Sequence, residues 1–354
     1  MEGQGTWSHR YDGVSNANES IPESDVFYSL NVLLGLAQLP DQGAATRWDP
    51  KQLLGQFAEQ MLGLPVRPYA FGMAMWASHN LGEELPGSTL DACRRLLKDE
   101  AAWRGFKAQD LGLLLSGASM LSTHQDQPWR EATQRLFNYI RSELDGGVSG
   151  LFHDSATGVR RTLVTYATNV YSTLACFHFG EAFENQDAIE RALRCVNALA
   201  RAQGPHGEWP WFYQSTTGKV LDPYQVYSVH QNGMAPAYLH HAVAHGDESA
   251  REQIRRGFEW VFGKNELGCS MLDHDLGLIW RSHIRREPLE RHRRAVRGVL
   301  RTVTGQEGSY IGKAALKINR ECRSYHLGWV LHSFAGREGF EDISHRQEFE
   351  GGTP

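Results

Sequence analysis

The sequence predicts an all-α fold, an (α/α)6 toroid of helical hairpins with a short β-hairpin inserted near residues 270–283. Three observations carry that prediction. Helices that are apolar on every side alternate along the chain with helices that have one charged face. The apolar kind begins six times, near residues 25, 69, 109, 165, 225 and 323. That is a weak internal repeat of roughly 40 to 60 residues, the period of helical arrays and rings. Finally, the 354 residues contain no stretch of linker composition, so the repeats form one unit, residues 25–337. A polar arm precedes it at 1–24, expected to be mobile, and a tail follows at 338–354. A helix buried on both sides needs neighbours on both sides. Six of them alternating with surface helices are most simply an inner ring inside an outer ring, and a solenoid of helix pairs is the other arrangement that would serve.

The first inner helix runs from Asp25 or Val26 to Leu39, with Val26, Phe27, Leu30, Leu33, Leu34 and Leu36 covering nearly every face. Pro50–Leu62 is its outer partner, capped by Asp49 and opened by Pro50 at the first helical position. Tyr69–Leu81 is apolar and small, whereas Thr89–Lys98, behind a Ser88 cap, is amphipathic. Gln109–Leu121 is nearly all Leu, Gly, Ala, Ser and Met, whereas Pro128–Leu144 carries Arg130, Glu131, Arg135 and Arg141 on one face. Thr165–Phe179 is the buried type and Gln186–Ala202 the surface type. Gln225–Ala244 and Glu248–Gly263 repeat the pair. Arg323–Ala335 closes the series, and the arginine-rich segment Leu289–Thr302 before it is the expected surface partner. Met271–Arg281, with a turn at His274–Gly277, reads as the inserted hairpin.

The chemically richest stretch lies between the fourth and fifth pairs. Gln203–Tyr213 and Asp222–Met234 hold two Trp, several Tyr and Phe, a Glu, an Asp and two His among turn-forming Gly and Pro, which reads as one wall of a pocket. Its first part has the form Q-x-x-x-G-x-W, from Gln203 through Gly207 to Trp209. This resembles the repeat of squalene and oxidosqualene cyclases and of helical-hairpin rings more generally. Its physical reason is packing: Gln bonds free backbone groups at a helix end, Gly turns the chain, and Trp covers the next hairpin. The six inner helices, each opening on polar and aromatic residues, resemble those of six-hairpin glycosidase-like proteins over residues 25–336. That resemblance implies a substrate funnel at one end of the ring. It fixes no chemistry, because such rings host hydrolases, lyases, epimerases and cyclases.

The polar openings of the inner helices are Asp25 and Tyr28; Arg67 and Tyr69; Lys107, Gln109 and Asp110; Tyr166 and Asn169; Tyr224, Tyr227, His230 and Gln231; and Arg320, Glu321, Arg323, Tyr325 and His326. With parallel inner helices all of them meet at one mouth. Sugar chemistry usually needs two carboxylates, so Asp110, Glu208, Asp222 and Glu321 are the candidate acids. Each also has a plainer reading, as a helix cap for Asp110 or an ion-pair partner for Glu321. Tyr227 and His230, three apart and on one helix face, form a second candidate acid and base. Tyr69, Trp209, Trp211, Tyr213, Tyr224, Gln231 and His326 are expected to bind substrate, with Arg281 and Arg323 clamping a carboxylate or phosphate. Asp273 and Asp275 fit a turn better than a cyclase acid, because Leu276 stands where a further Asp would be needed.

Other classes find little support. The net charge of −5 is interspersed, and the cluster at 285–294 is broken by Glu287 and Glu290, so no nucleic-acid footprint is expected. The longest apolar run, Leu111–Leu121, is too short to span a bilayer. Five scattered cysteines suggest neither a disulfide framework nor zinc, and His241-x-x-x-His245 lacks a third ligand, so no metal and no cofactor are expected. The N-terminus has no secretory pattern, and a cytoplasmic protein is expected. The leading expectation is a carbohydrate-active enzyme of glycosidase type, acting on a sugar chain or glycoside in an aromatic funnel. A terpene cyclase-like enzyme and a non-catalytic toroid binding a glycan or protein are the alternatives.

Overall fold

The computed structural model describes residues 5–39, 48–65 and 67–344; the first four residues of the arm and most of the tail lie outside them. Two short strands, β1 (Arg10–Asp12) and β2 (Ala17–Glu19), precede α1 (Pro22–Leu36). Next come α2 (Pro50–Leu62), α3 (Pro68–Leu81), α4 (Gly87–Lys98), the single turn α5 (Glu100–Trp103), α6 (Ala108–Leu121) and α7 (Gln127–Tyr139). Strand β3 (Leu163–Thr165) leads into α8 (Tyr166–Ala182), and α9 (Gln186–Ala202) follows. Strands β4 (Phe212–Gln214), β5 (Val220–Asp222) and β6 (Val226–Tyr227) precede α10 (Ala235–Ala244) and α11 (Ser249–Val261). The described residues end with β7 (Leu272–Asp273), β8 (Leu278–Ile279), β9 (Ser282–Arg285), α12 (Glu290–Thr304), β10 (Leu316–Asn319), β11 (Glu321–Cys322), α13 (Tyr325–Phe334) and α14 (Glu341–Ser344).

The ring closes as expected. α1 packs on α3, α3 on α6, α6 on α8, α8 on α10, α10 on α13, and α13 back on α1. Outside them, α2 lies on α1 and α3, α4 on α2 and α3, α7 on α6, α9 on α8 and α10, and α11 on α10. Local chemistry starts these helices: the Asp49 side chain accepts from Lys51 N and Gln52 N, Asp126 from Trp129 N, and Asn185 from Ala188 N. At the axis, Trp76 of α3 meets His178 of α8 at 4.6 Å and Trp329 and His332 of α13 at 5.9 and 5.1 Å between ring centroids. Side chains from three alternate inner helices meet there, so one half of the ring is filled.

The inner helices approach almost backbone to backbone. A Cβ on Gly72 would lie 2.2 Å from Leu113 O, one on Gly117 2.2 Å from Gly72 O, one on Gly35 2.4 Å from Gly328 O, and one on Gly328 2.3 Å from Asn31 O. The small residues of these helices are therefore contact points.

Four features depart from the sequence reading. Strand is not confined to the hairpin at β7 and β8, although that hairpin forms where expected. Three further sheets, β11-β1-β2, β10-β9-β6 and β3-β4-β5, collar the mouth, because most of their strands lie in segments that lead into inner helices. Strands of two to four residues are too short to show alternation. The arm expected to be mobile is docked: β1 pairs with β11, and Trp7 N donates to Ser29 Oγ at 2.9 Å. The fifth inner helix does not start at Gln225. Val226 and Tyr227 pair with β9, and His230–Met234 form a wide π-helical turn. Pro236, which has no N–H for the carbonyl of Asn232, stands just beyond that turn. Finally, α12 is not the partner of α13; it packs on β3 and β5 beside the mouth.

The glycine contacts predict unequal responses to added bulk. Gly328→Val should destabilise the protein by at least about 3 kcal/mol, because backbone sits where the side chain would go. Gly55→Ala, on α2 with nothing within 4 Å of the added Cβ, should raise stability by up to about 1 kcal/mol. Chemical denaturation of the two variants measures both.

Candidate active site

The first turns of the six inner helices surround a cavity of about 270 Å³ at the unfilled end of the ring. α1 contributes Ser24, Phe27 and Tyr28, α3 Tyr69, α6 Gln109, Asp110 and Leu113, α8 Ala167 and Tyr171, the π turn His230 and Met234, and α13 Tyr325. Trp211, Tyr227 and Arg281 complete the wall from the collar. The expected convergence therefore holds for Tyr69, Asp110, Trp211, Tyr227, His230 and Arg281, which are far apart in sequence.

Among the described residues, Asp110 is the one carboxylate lining this cavity. Its Oδ2 accepts from Lys107 N at 3.3 Å, so it caps α6 and faces the cavity at once. Burial raises its pKa, against the pull of the Lys107 N–H and the charges of Lys107 and Arg67. His230 is 4% exposed and sits 4.9 Å from Tyr227 and 5.7 Å from the nearly parallel Trp211 ring. Burial, with smaller contributions from His326 and Arg281, brings its pKa down to about 3, so the imidazole is neutral. Its Nδ1 has no hydrogen-bond partner among the described residues. Burial works against the charge of Arg281, but Tyr227, Tyr325 and Glu321 outweigh it and hold the guanidinium charged. Arg281 lies over the Tyr227 ring at 5.3 Å and donates to Glu321 Oε2 at 2.5 Å.

The remaining expected site residues lie behind the wall or away from it. Glu321 is engaged on both oxygens, by Arg281 and Arg323 on one and Arg10 on the other. Arg323 also reaches His9, which stacks on Tyr28. His326 is buried against Asn232 Oδ1 at 2.7 Å. Gln231 holds Trp209 N at 3.1 Å and the Tyr227 carbonyl at 2.9 Å. Trp209 and Tyr213 are fully buried, and Tyr224 packs under Arg285 and beside Tyr310. Besides Glu321, two more of the four candidate acids lie off the cavity. Asp222 is fully buried in ion pairs with Arg285 and Arg297, at 2.6 and 3.3 Å. Glu208 is fully buried in its own loop, accepting from His206 N at 2.8 Å. Their positions follow from the motif geometry: Gln203 donates to the carbonyls of Gly207 and Gln253, and Gly207 lies against the backbone of Arg256. The Q-x-x-x-G-x-W element thus staples the loop to α11.

Phe27 and Tyr171, which the sequence gives no site role, also line the cavity, as do the polar helix openings Tyr28, Gln109 and Tyr325. Their shared signal is an aromatic or amide side chain near the start of an apolar helix. Among the described residues no group of three His, Cys, Asp or Glu could hold a metal ion. His241 and His245 instead share the Glu181 carboxylate, at 2.8 and 3.0 Å, at the other end of the ring. No described helix is long and apolar enough to cross a membrane.

No family model and no curated protein matches the chain. Solved structures do. A sugar epimerase from a ruminal bacterium has a TM-score of 0.59 at 11% identity, over 96% of this chain and 94% of that one. Unsaturated glucuronyl hydrolase from Bacillus sp. GL1 has a TM-score of 0.58 at 10% identity, over 93% and 90%. A glycosyl hydrolase family 88 protein from Bacteroides vulgatus has a TM-score of 0.51 at 9% identity, over 88% and 91%. The fold is therefore the (α/α)6 toroid that these solved structures share.

Glu208 gives a stability test separate from catalysis. Burial, reinforced by the charge of Glu266, raises its pKa to about 7. Its folded-state pKa lies above the unfolded one, so its stabilising contribution is full below about pH 4 and is lost as pH rises through about 7. Glu208→Gln should therefore flatten the fall in Tm between those limits, a difference on the order of 3 kcal/mol near neutrality. Thermal scans of both proteins across that range measure it.

Proposed function

We propose that the protein is a carbohydrate-active enzyme that binds one sugar ring in the aromatic cavity and transfers protons to and from it through Asp110 and His230. The observation that carries this reading is the convergence of a raised-pKa carboxyl, a neutral imidazole and a charged guanidinium among aromatic faces at the mouth of the ring. Aromatic faces stack on the apolar faces of a sugar ring, and a few convergent polar groups fix its orientation. A cavity of about 270 Å³ is at the small end for ligand sites, so one ring enters and the rest of a chain stays outside the mouth.

Asp110 is suited to donate a proton, because burial favours its neutral form. His230 is suited to accept one, because it is already neutral and lines the cavity. Arg281, braced by Glu321, is placed to hold an anionic or developing negative oxygen. A hydrolase with two facing carboxylates drawn from the four candidate acids is disfavoured, since Asp110 alone lines the cavity. The solved toroids of similar fold are named for an epimerase and for glycoside-cleaving enzymes, which agrees with sugar as the substrate class. The terpene cyclase-like alternative loses its main support, because the Q-x-x-x-G-x-W element packs α11 and the cavity carries Asp110, Gln109, His230 and Arg281.

Screening activity on glycosides and free sugars, followed by Asp110→Asn and His230→Gln, tests the proposal. Each variant should keep its Tm and lose roughly a hundred- to ten-thousand-fold in kcat/KM. The pH profile should fall on the alkaline side, as Asp110 ionises above its raised pKa. It should show no acid limb near the usual imidazole value, because His230 titrates near 3. Full activity in both variants would remove these residues from the chemistry.

A further inference from the structure

Helix α12 is inside out. Its guanidinium-bearing face turns into the protein: Arg294 donates to Gln225 Oε1 at 2.5 Å, Arg297 to Asp222 Oδ2 at 3.3 Å, and Arg301 to the Leu221 carbonyl at 2.8 Å. Gly298 on that face packs against Leu163 and Phe212. The opposite face is apolar and bare, with Val296 58% exposed, Val299 38%, Leu300 58% and Val303 80%. At about 100° per residue these four fall within roughly a third of the helix circumference, so they form one stripe.

The charge around the stripe is lopsided. Residues 285–320 hold ten Lys and Arg against three Glu, in a chain whose net charge is −5. Arg286, Arg291, Arg293 and Lys317 are exposed, with Glu287 3.8 Å from Arg293 as the nearest compensation. An apolar stripe in a segment rich in exposed cations fits the boundary between headgroups and acyl chains of an anionic bilayer. A hydrated anionic polymer would leave the stripe in water. A second copy of the chain would bring like charges together, and four side chains fall well short of the roughly 20 to 30 residues per side of a stable dimer.

We propose that α12 docks the protein on anionic lipid surfaces, lying in the interface with Val296, Leu300 and Val303 against the acyl boundary. The helix stands one layer from the cavity, since Arg294 lies 5.6 Å from the Trp211 ring that lines it. Docking therefore brings the mouth end of the ring to the membrane surface.

Co-sedimentation of the full chain with vesicles of equal parts phosphatidylcholine and phosphatidylglycerol tests this, against phosphatidylcholine alone, at low and high salt. Binding to the anionic vesicles, weakened by salt and absent from the neutral ones, is expected. Arg291→Gln with Arg293→Gln should weaken it on the order of 25-fold, at roughly fivefold per charge. Leu300→Asp with Val303→Asp should abolish it while leaving the thermal unfolding curve in place, because both side chains are exposed. Light scattering should give the same mass for wild type and the Asp variant. No vesicle binding, equal binding to neutral vesicles, binding untouched by the Asp pair, or a dimer that the Asp pair dissociates would each overturn the proposal.

Discussion

The close approach of the inner helices is the constraint on which the rest of the molecule depends. Helices usually pack with axes 8–10 Å apart, and the spacing within that range is set by the side chains at the contact. Here the contacts are Gly72 and Gly117 between α3 and α6, and Gly35 and Gly328 between α1 and α13. Both pairs put backbone against backbone, and the second joins the first inner helix to the last. A ring drawn this tight leaves little room at its axis. Trp76, Trp329, His178 and His332 fill one half of it, and what remains is the small cavity among the helix starts.

The same geometry concentrates charge. Six parallel helix starts point toward the cavity, so backbone N–H groups and partial positive charge gather there. Asp110 answers this locally by bonding Lys107 N. Arg281 adds a full positive charge, and Glu321 makes it tolerable by pairing with it while also binding Arg323 and Arg10. That carboxylate joins the collar strand β11, the segment behind the Tyr227 wall and the docked N-terminal hairpin into one polar unit. The pairing fixes where the Arg281 guanidinium sits. Glu321, one of the acids expected from the sequence, thus has both oxygens engaged by arginines.

The alternation of helix types was legible because it follows burial, which periodicity records directly: Gln109–Leu121 has no polar face, and Pro128–Leu144 has one. Six of the fifteen site residues expected from the sequence line the cavity, and five of the others share a cause. Glu208, Asp222, Trp209, Tyr213 and Tyr224 stand out for the chemical density of their loop, yet its two acids are engaged inside the protein, Asp222 by Arg285 and Glu208 by His206 N. Loop partners more than sixty residues away, such as Arg285, leave no local pattern. Phe27 and Tyr171 failed to stand out for the opposite reason, since an aromatic residue on an apolar helix reads as core. The collar sheets were invisible because a strand of three residues has no period to detect.

The misplacement of α12 has a physical explanation that links these observations. Its spacing of Val296, Val299, Leu300 and Val303 is that of an ordinary amphipathic helix, and the usual inference is that such a stripe faces the core. Asp222 reverses it. A fully buried carboxylate requires cations, and Arg285 from the collar and Arg297 from α12 supply them, with Glu287 and Glu290 balancing the surplus. Pulling Arg294, Arg297 and Arg301 inward satisfies Asp222, Gln225 and the Leu221 carbonyl, and rotates the apolar residues outward. Losing the inward arginine contacts would cost several kcal/mol, of the same order as leaving four aliphatic side chains partly wet. Buried electrostatics thus offsets the exposed stripe beside the mouth.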